Sequence, residues 1–174
     1  MTHHRSFSPI VIFGLLIGGS FIVASFLFIV SGREIVLNPR LNNVISCLSI
    51  IGCFMGIKKF RDERLTGAIS YGRAFSTGLK IILVATVLYT LYTYFLYSAV
   101  PEFMENYKQI MTGALKKVYG ETSFYALAAE TLNKSLSPGL IAFGEFFREL
   151  IFGMFFLLVV AAIVKRSSPV NTHP

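Results

Sequence analysis

The sequence is short of the residues on which most soluble and extracellular folds depend. Its 174 residues include no tryptophan, two cysteines and six prolines. Two cysteines are too few for a disulfide scaffold, and so little proline excludes collagen and proline-rich disorder. Charged side chains make up 14% of the chain, whereas a soluble domain carries about 25%. Because hydrophobic residues make up 54%, we expect a single integral membrane domain over residues 1–174.

Four long apolar stretches predict membrane-spanning helices. A helix that crosses the hydrocarbon core of about 30 Å needs about 20 mostly apolar residues, and the alternation typical of barrel strands is absent. The second stretch is the weakest, because Asn42 and Asn43 stand at its head. The predicted fold is all-α: a bundle of four transmembrane helices with an amphipathic helical hairpin between the third and fourth. The predicted spans are approximately residues 10–30, 41–57, 78–100 and 145–164.

The basic residues predict the orientation, because Lys and Arg accumulate in cytoplasmic loops. With four spans, both termini and the loop 58–77 share one side of the membrane, while the first loop on the other side holds only Arg33 and Arg40. We therefore expect both termini in the cytoplasm. The side that they share holds nine basic residues, which are Arg5, Lys58, Lys59, Arg61, Arg64, Arg73, Lys80, Lys165 and Arg166.

Small residues on the first two helices predict close packing. Gly14 and Gly18 form a GxxxG pattern on the first helix, and Gly52 and Gly56 form another on the second. Such faces let helix backbones approach closely, so we expect these two helices to form a tight hairpin. Glycine is also common in membrane helices generally, and homodimerisation through either face is an alternative.

The third predicted helix carries a stripe of hydroxyl groups at helical spacing. Either the stripe lines a path for a solute, or it forms hydrogen bonds between helices and continues into an interfacial belt of tyrosines. The second interpretation is simpler, since threonine hydroxyls can also satisfy their own backbone. The stripe consists of Thr86, Thr90, Thr93 and Tyr97.

The loop after the second helix combines a basic cluster with a distinctive string of small and aromatic residues. The cluster begins at Lys58 and suits anionic lipid headgroups, which attract each nearby cation by about 1 kcal/mol. A positive-inside stop signal accounts for most of this charge, but it does not account for the string. Ser70 could cap a helix that enters the membrane. The string consists of Gly67, Ser70, Tyr71, Gly72, Ala74, Phe75 and Gly78.

This loop resembles the domain-of-unknown-function 4199 family of small Bacteroidota membrane proteins. The shared pattern is an Arg-Asp pair after a short second helix, then Gly, Ile-Ser-aromatic-Gly-x-Ala-Phe and Gly. The length, the four spans and the long loop before the last helix are similar too. The resemblance implies a bacterial inner-membrane location and no particular reaction, since the family has no established activity. The matching positions are Arg61, Asp62, Gly67, Ile69, Ser70, Tyr71, Gly72, Ala74, Phe75 and Gly78.

The long loop before the last span predicts two amphipathic helices, at about residues 102–118 and 123–135. Apolar side chains recur there at helical spacing. Glu102 opens the first helix and Lys116 and Lys117 close it, which matches the helix dipole. We expect the pair to lie along the outer membrane interface or to fold over the bundle as a lid. A surface that docks a partner is the alternative.

Three charged residues stand at the start of the last span. Glu145, Arg148 and Glu149 are spaced so that both acids can reach the arginine on one helix face. Ionisable groups near the hydrocarbon boundary are candidate functional groups, here for a proton or ion relay. A neutralised interfacial salt bridge is the alternative that we favour.

The motifs of known enzymes are missing, so we expect neither catalysis nor a cofactor or metal. There is no nucleophile elbow, phosphate loop or zinc-binding spacing. The net charge of +7 follows from membrane orientation, so nucleic acid is not an expected partner. We favour a non-catalytic accessory or structural subunit that binds another membrane protein or a second copy of itself. A small oligomeric transporter or channel is the alternative.

Overall fold

The computed structural model describes residues 8–33, 35–36 and 38–166. All regular elements in these ranges are helices, which confirms the all-α prediction. Arg5, used in the orientation argument, lies outside the described residues. The helices are α1 (Pro9–Val30), α2 (Pro39–Arg64), α3 (Tyr71–Ala99), α4 (Pro101–Tyr119), α5 (Ser123–Ser135) and α6 (Pro138–Val164).

Four of these helices, α1, α2, α3 and α6, are long and apolar enough to cross a membrane. They contain 22, 26, 29 and 27 residues, so each exceeds the roughly 20 residues that a span requires. The structure thus confirms four candidate spans, including the second. Helix α2 runs through the basic cluster to Arg64 and α3 begins at Tyr71, so much of segment 58–77 is helical. Lys and Arg are good helix formers, and a helix need not end where its apolar stretch ends.

Every proline in the described ranges is the first residue of a helix. The fixed backbone angle of proline suits this position, and the N–H group that it lacks would have no partner inside the helix. Asn38 precedes one of them, and its Oδ1 accepts hydrogen bonds from the backbone N–H groups of Arg40 at 3.0 Å and Leu41 at 3.4 Å. The scarce prolines thus mark helix starts. They are Pro9, Pro39, Pro101 and Pro138.

The described chain divides into two compact units, one formed by the described residues up to Tyr89 and from Arg148 to Arg166, and the other by residues 90–147. In the first unit, α1 and α2 contact one another. Glycines on α2 leave room for large side chains of α1. A Cβ atom added at Gly52 would lie 2.4 Å from Cγ1 of Ile17, and one at Gly56 would lie 3.0 Å from Cβ of Phe13.

The glycine face of α1 packs against α3 instead of α2. A Cβ atom added at Gly14 would lie 2.5 Å from Cβ of Val84, and one at Gly18 would lie 2.8 Å from the carbonyl oxygen of Ala85. Helices α1 and α2 thus pack together as predicted, with the glycines of α2 admitting α1 side chains, but the glycines of α1 face α3. At Gly18 the small residue admits the backbone of α3 itself, which is the close helix approach that glycine permits.

The second unit contains α4 and α5, which contact one another. Tyr119 and Phe124 stack edge to face across their connection, with ring centroids 4.8 Å apart. Lys116 Nζ lies 2.6 Å from Glu121 Oε1. This hydrogen bond lowers the pKa of Glu121 and raises the pKa of Lys116. Between them Gly120 has a φ of +63°, which glycine adopts readily. Ring stacking, ion pair and glycine together define the turn.

Candidate functional site

The family-like motif lies where α2 ends and α3 begins, and we call residues 58–78 the α2–α3 junction. Arg61 is its most constrained charged residue. Its Nη1 donates to the carbonyl oxygen of Val164 at 3.3 Å, and its Nε donates to Oδ1 of Asp62 at 2.8 Å. The Arg61 side chain is only 12% exposed, against 47% for Asp62. Because Val164 is the last residue of α6, a cation there complements the negative end of the helix dipole.

Gly67 reverses the chain after α2. Its φ is +88°, and the preceding Thr66 also has a positive φ of 50°. The backbone N–H groups of Leu65 and Gly67 both donate to the carbonyl oxygen of Arg61, at 3.0 and 3.2 Å. Carbonyls at a helix end have no partner within the helix, so these bonds satisfy one of them. Glycine is favoured at this position because its backbone adopts positive φ without steric cost.

A two-bond bridge joins the junction to the segment that follows α6. The N–H of Ile69 donates to the carbonyl oxygen of Arg166 at 2.9 Å, and the N–H of Arg166 donates back at 3.0 Å. Ile69 is buried at this bridge. The carbonyl oxygen of Ser70 accepts from the N–H of Ala74 at 2.9 Å, which is the first bond of α3 and places Ser70 at the capping position.

The remaining motif residues lie on the first turns of α3. Gly78 is the most tightly packed glycine among them, since an added Cβ would lie 2.3 Å from Cδ2 of Leu157 and 2.9 Å from Cδ1 of Ile57. The hydroxyl of Tyr71 donates to the carbonyl oxygen of Leu158 at 3.4 Å. Gly72 has open space around it, and nothing in the structure explains a need for glycine there.

The charged residues of α6 form a second candidate site. Arg148 donates to Oε1 of Glu149 from Nη2 at 2.7 Å and from Nε at 3.3 Å. Glu149 is only 9% exposed, whereas Glu145 is half-buried on the preceding turn of α6. A groove of about 300 Å³ adjoins the Arg148–Glu149 pair. Its lining is Pro39, Asn42, Asn43, Ser46, Arg148, Glu149, Phe152 and Phe156.

This groove gives a role to polar residues that the sequence presented only as a weakness of the second span. Asn42 and Asn43 lower the hydropathy of the second span, and Ser46 follows Asn42 by one helical turn. Their spacing places Asn42 and Ser46 on one face of α2. That periodicity was the available signal, but which helix the face meets could not be read from it.

One hydrogen bond joins two helices beside the hydroxyl stripe of α3, through Tyr89, which is not a member of the stripe. The hydroxyls of Ser25 and Tyr89 lie 2.9 Å apart, and the ring of Tyr89 stacks edge to face on Phe21. Within the stripe, the hydroxyls of Thr86 and Thr90 are buried without a hydrogen-bond partner among the described residues. No three His, Cys, Asp or Glu side chains in the described ranges are placed to hold a metal ion.

These features define an all-helical protein with four helices able to cross a membrane, whose distinctive loop joins the ends of three of them. The family model described as "Protein of unknown function (DUF4199)" matches residues 12–166. The chain therefore belongs to this family, as its Arg61-to-Gly78 motif predicted. No curated protein and no solved structure matches the chain.

Proposed function

We propose that the chain is a non-catalytic accessory or structural subunit of a membrane protein complex in the bacterial inner membrane. One observation carries this proposal: the motif residues stabilise helix ends. Arg61 binds the end of α6, Ile69 bridges to Arg166, and Gly78 admits Leu157 and Ile57. A motif whose residues hold helix ends in place fits a subunit that presents a fixed surface to a partner.

We propose that the α2–α3 junction faces the cytoplasm, as do both termini. The Ile69–Arg166 bridge brings Lys165 and Arg166 to the basic α2–α3 junction, which supports a shared side for these charges. Exposed cations such as Lys58 and Arg64 would attract anionic headgroups there, at about 1 kcal/mol each near the surface.

We propose further that α4 and α5 lie along the outer membrane interface. Apolar side chains on this pair are strongly exposed, with Val118 at 73% and Leu127 at 63%. A large exposed apolar surface is unfavourable in water, whereas at the membrane interface it can be buried against lipid. The pair also frames an apolar cavity of about 480 Å³, which suits lipid contact. Its lining is Leu115, Phe124, Leu127, Ala128, Thr131, Leu132, Ser135, Leu136 and Leu140.

Purification in mild detergent and reconstitution test the accessory role. The chain, tagged at low expression level, should co-purify with one membrane protein at fixed stoichiometry, as measured by native mass spectrometry. Crosslinking in intact membranes should then join the chain to that same partner through one defined set of residues. A pure homo-oligomer that moves solute when reconstituted into liposomes would contradict this role.

The groove beside Arg148 and Glu149 favours a second candidate function, a small oligomeric transporter. Buried ionisable groups inside a membrane helix often mark a solute or proton path. If this candidate is correct, Glu149→Gln should reduce proton or solute flux in liposomes at least tenfold. Exposed Glu130→Gln, in α5, is the matched control and should leave that flux unchanged.

A further inference from the structure

A cationic cavity of about 330 Å³ lies where α3 begins and the chain leaves α6. Three of its lining side chains are positively charged, and they come from two distant segments: Arg73 from α3, and Lys165 and Arg166 from beyond α6. Ser70 adds a hydroxyl group to the lining. The Ile69–Arg166 backbone bridge holds the two segments side by side, and the three cations and Ser70 are exposed to solvent at the opening of the cavity.

The cations of this cavity, Arg73, Lys165 and Arg166, are not paired in salt bridges within the described ranges. The acids at the end of α2 pair with other cations: Asp62 with Arg61 at 2.8 Å, and Glu63 with Lys59 at 3.7 Å. Asp62 is also close enough to Arg166 for a longer-range attraction, which offsets part of the positive charge. Like charges around one cavity repel each other. A bound anion would remove that repulsion.

We propose that this cavity is a binding site for a phosphate group. Arginine guanidinium groups match phosphate oxygens in a bidentate fashion, and lysine adds a point charge. The Ser70 hydroxyl can donate to a further oxygen, and the first turn of α3 adds the favourable end of a helix dipole. A tetrahedral anion with several acceptor oxygens uses three cations from two directions better than a single carboxylate does.

The phosphate belongs either to a phospholipid headgroup or to a soluble phosphorylated compound. The lipid source rests on the proposed position of the α2–α3 junction at the membrane surface, whereas the soluble source does not. Neither source depends on the proposed accessory role, so failure of the phosphate site would leave that role standing. The general attraction of anionic lipid to exposed cations such as Lys58 and Arg64 can be measured separately from the phosphate site, because these residues do not line the cavity.

Two double variants that remove equal charge test the proposal. Arg73→Gln with Lys165→Gln empties the cavity of two cations. Lys58→Gln with Arg64→Gln removes two exposed cations of α2 that do not line it. One arm measures retention of phosphatidylglycerol against phosphatidylcholine by native mass spectrometry in neutral detergent. The other titrates the same proteins with glycerol 3-phosphate and with inorganic phosphate by calorimetry, and thermal unfolding verifies that each variant is folded.

The expected result is saturable binding at one site per chain in at least one arm. The cavity variant should weaken the binding affinity about tenfold or more, because charge-assisted hydrogen bonds are lost. The α2 variant should weaken it less than about threefold. Selective retention of phosphatidylglycerol alone assigns a headgroup, and calorimetric binding of glycerol 3-phosphate or inorganic phosphate assigns a soluble ligand. Absence of binding in both arms, or equal weakening by both variants, would overturn the proposal. If the cavity variant does not fold, Arg73→Gln alone replaces it, with Arg64→Gln alone as the control of equal charge and with the same criteria.

Discussion

Single residues of one type have very different surroundings in this protein. Gly78 and Gly72 both lie on the first turns of α3 and both belong to the motif. Only Gly78 is enclosed, since an added Cβ there would lie 2.3 Å from Cδ2 of Leu157, whereas Gly72 has nothing within 4 Å. The motif therefore contains at least one position fixed by packing and another whose small size serves no contact that the structure shows.

Substituting valine at these two glycines should separate the loss of stability caused by overpacking from the change caused by replacing a helical glycine. Gly78→Val forces two methyl groups toward Leu157 and Ile57, and overpacking of this kind costs about 1–3 kcal/mol. Gly72→Val, the matched control on the same helix, should change stability by less than about 0.5 kcal/mol. Thermal unfolding in one detergent measures both, and equal midpoints would contradict the packing seen at Gly78.

The sequence allowed the motif positions to be predicted, but not most of their roles. Local chemistry identified Ser70 as a residue that precedes a helix. The role of Arg61 could not be read locally, because its partner Val164 lies 103 positions away. The same holds for Gly78, whose neighbour Leu157 belongs to α6. Periodicity and composition describe one helix at a time, and these contacts exist only once α6 has packed against α2 and α3.

At the scale of elements, helix existence was more predictable than helix contacts. Apolar length together with the distribution of basic residues predicted four candidate spans, and prolines stand at the start of four helices. The helix that each polar face meets was harder to predict. Asn42 and Ser46 of α2 line a groove with Arg148 and Glu149 of α6. Three other helices, α3, α4 and α5, lie between α2 and α6 in the sequence. Charge near the start of the last span pointed to that helix without indicating its neighbour.

The end of α6 should depend on a side chain of α2. Arg61→Gln removes the donor to the Val164 carbonyl and the cation at the helix terminus, and each such contribution is about 0.5–1.5 kcal/mol. Hydrogen exchange of the peptide covering residues 157–166 should then quicken about three- to tenfold. Arg64→Gln is the control, because Arg64 is exposed on the same helix. If it quickens exchange equally, general charge and not the Arg61 contact stabilises the end of α6.

At the scale of the whole molecule, the proposed topology depends on how many helices cross the membrane between two marked positions. Glu63 lies at the end of α2 and Glu121 lies between α4 and α5. Of the helices between these positions, only α3 is long and apolar enough to cross. An odd number of crossings places the two residues on opposite sides, and the basic junction predicts that Glu63 is on the cytoplasmic side.

Single cysteines at these two positions test the topology directly. The background is Cys47→Ser, which removes the exposed native cysteine and retains the buried Cys53. A membrane-impermeant maleimide applied to spheroplasts should label Glu121→Cys, and it should label Glu63→Cys only after permeabilisation. The two variants are matched because each removes one exposed acid. If only Glu63→Cys is labelled in intact spheroplasts, the orientation is the opposite of the one proposed. Equal labelling of both without permeabilisation would mean that α3 does not cross the membrane, because crossing is the only difference between the two positions that the reagent senses.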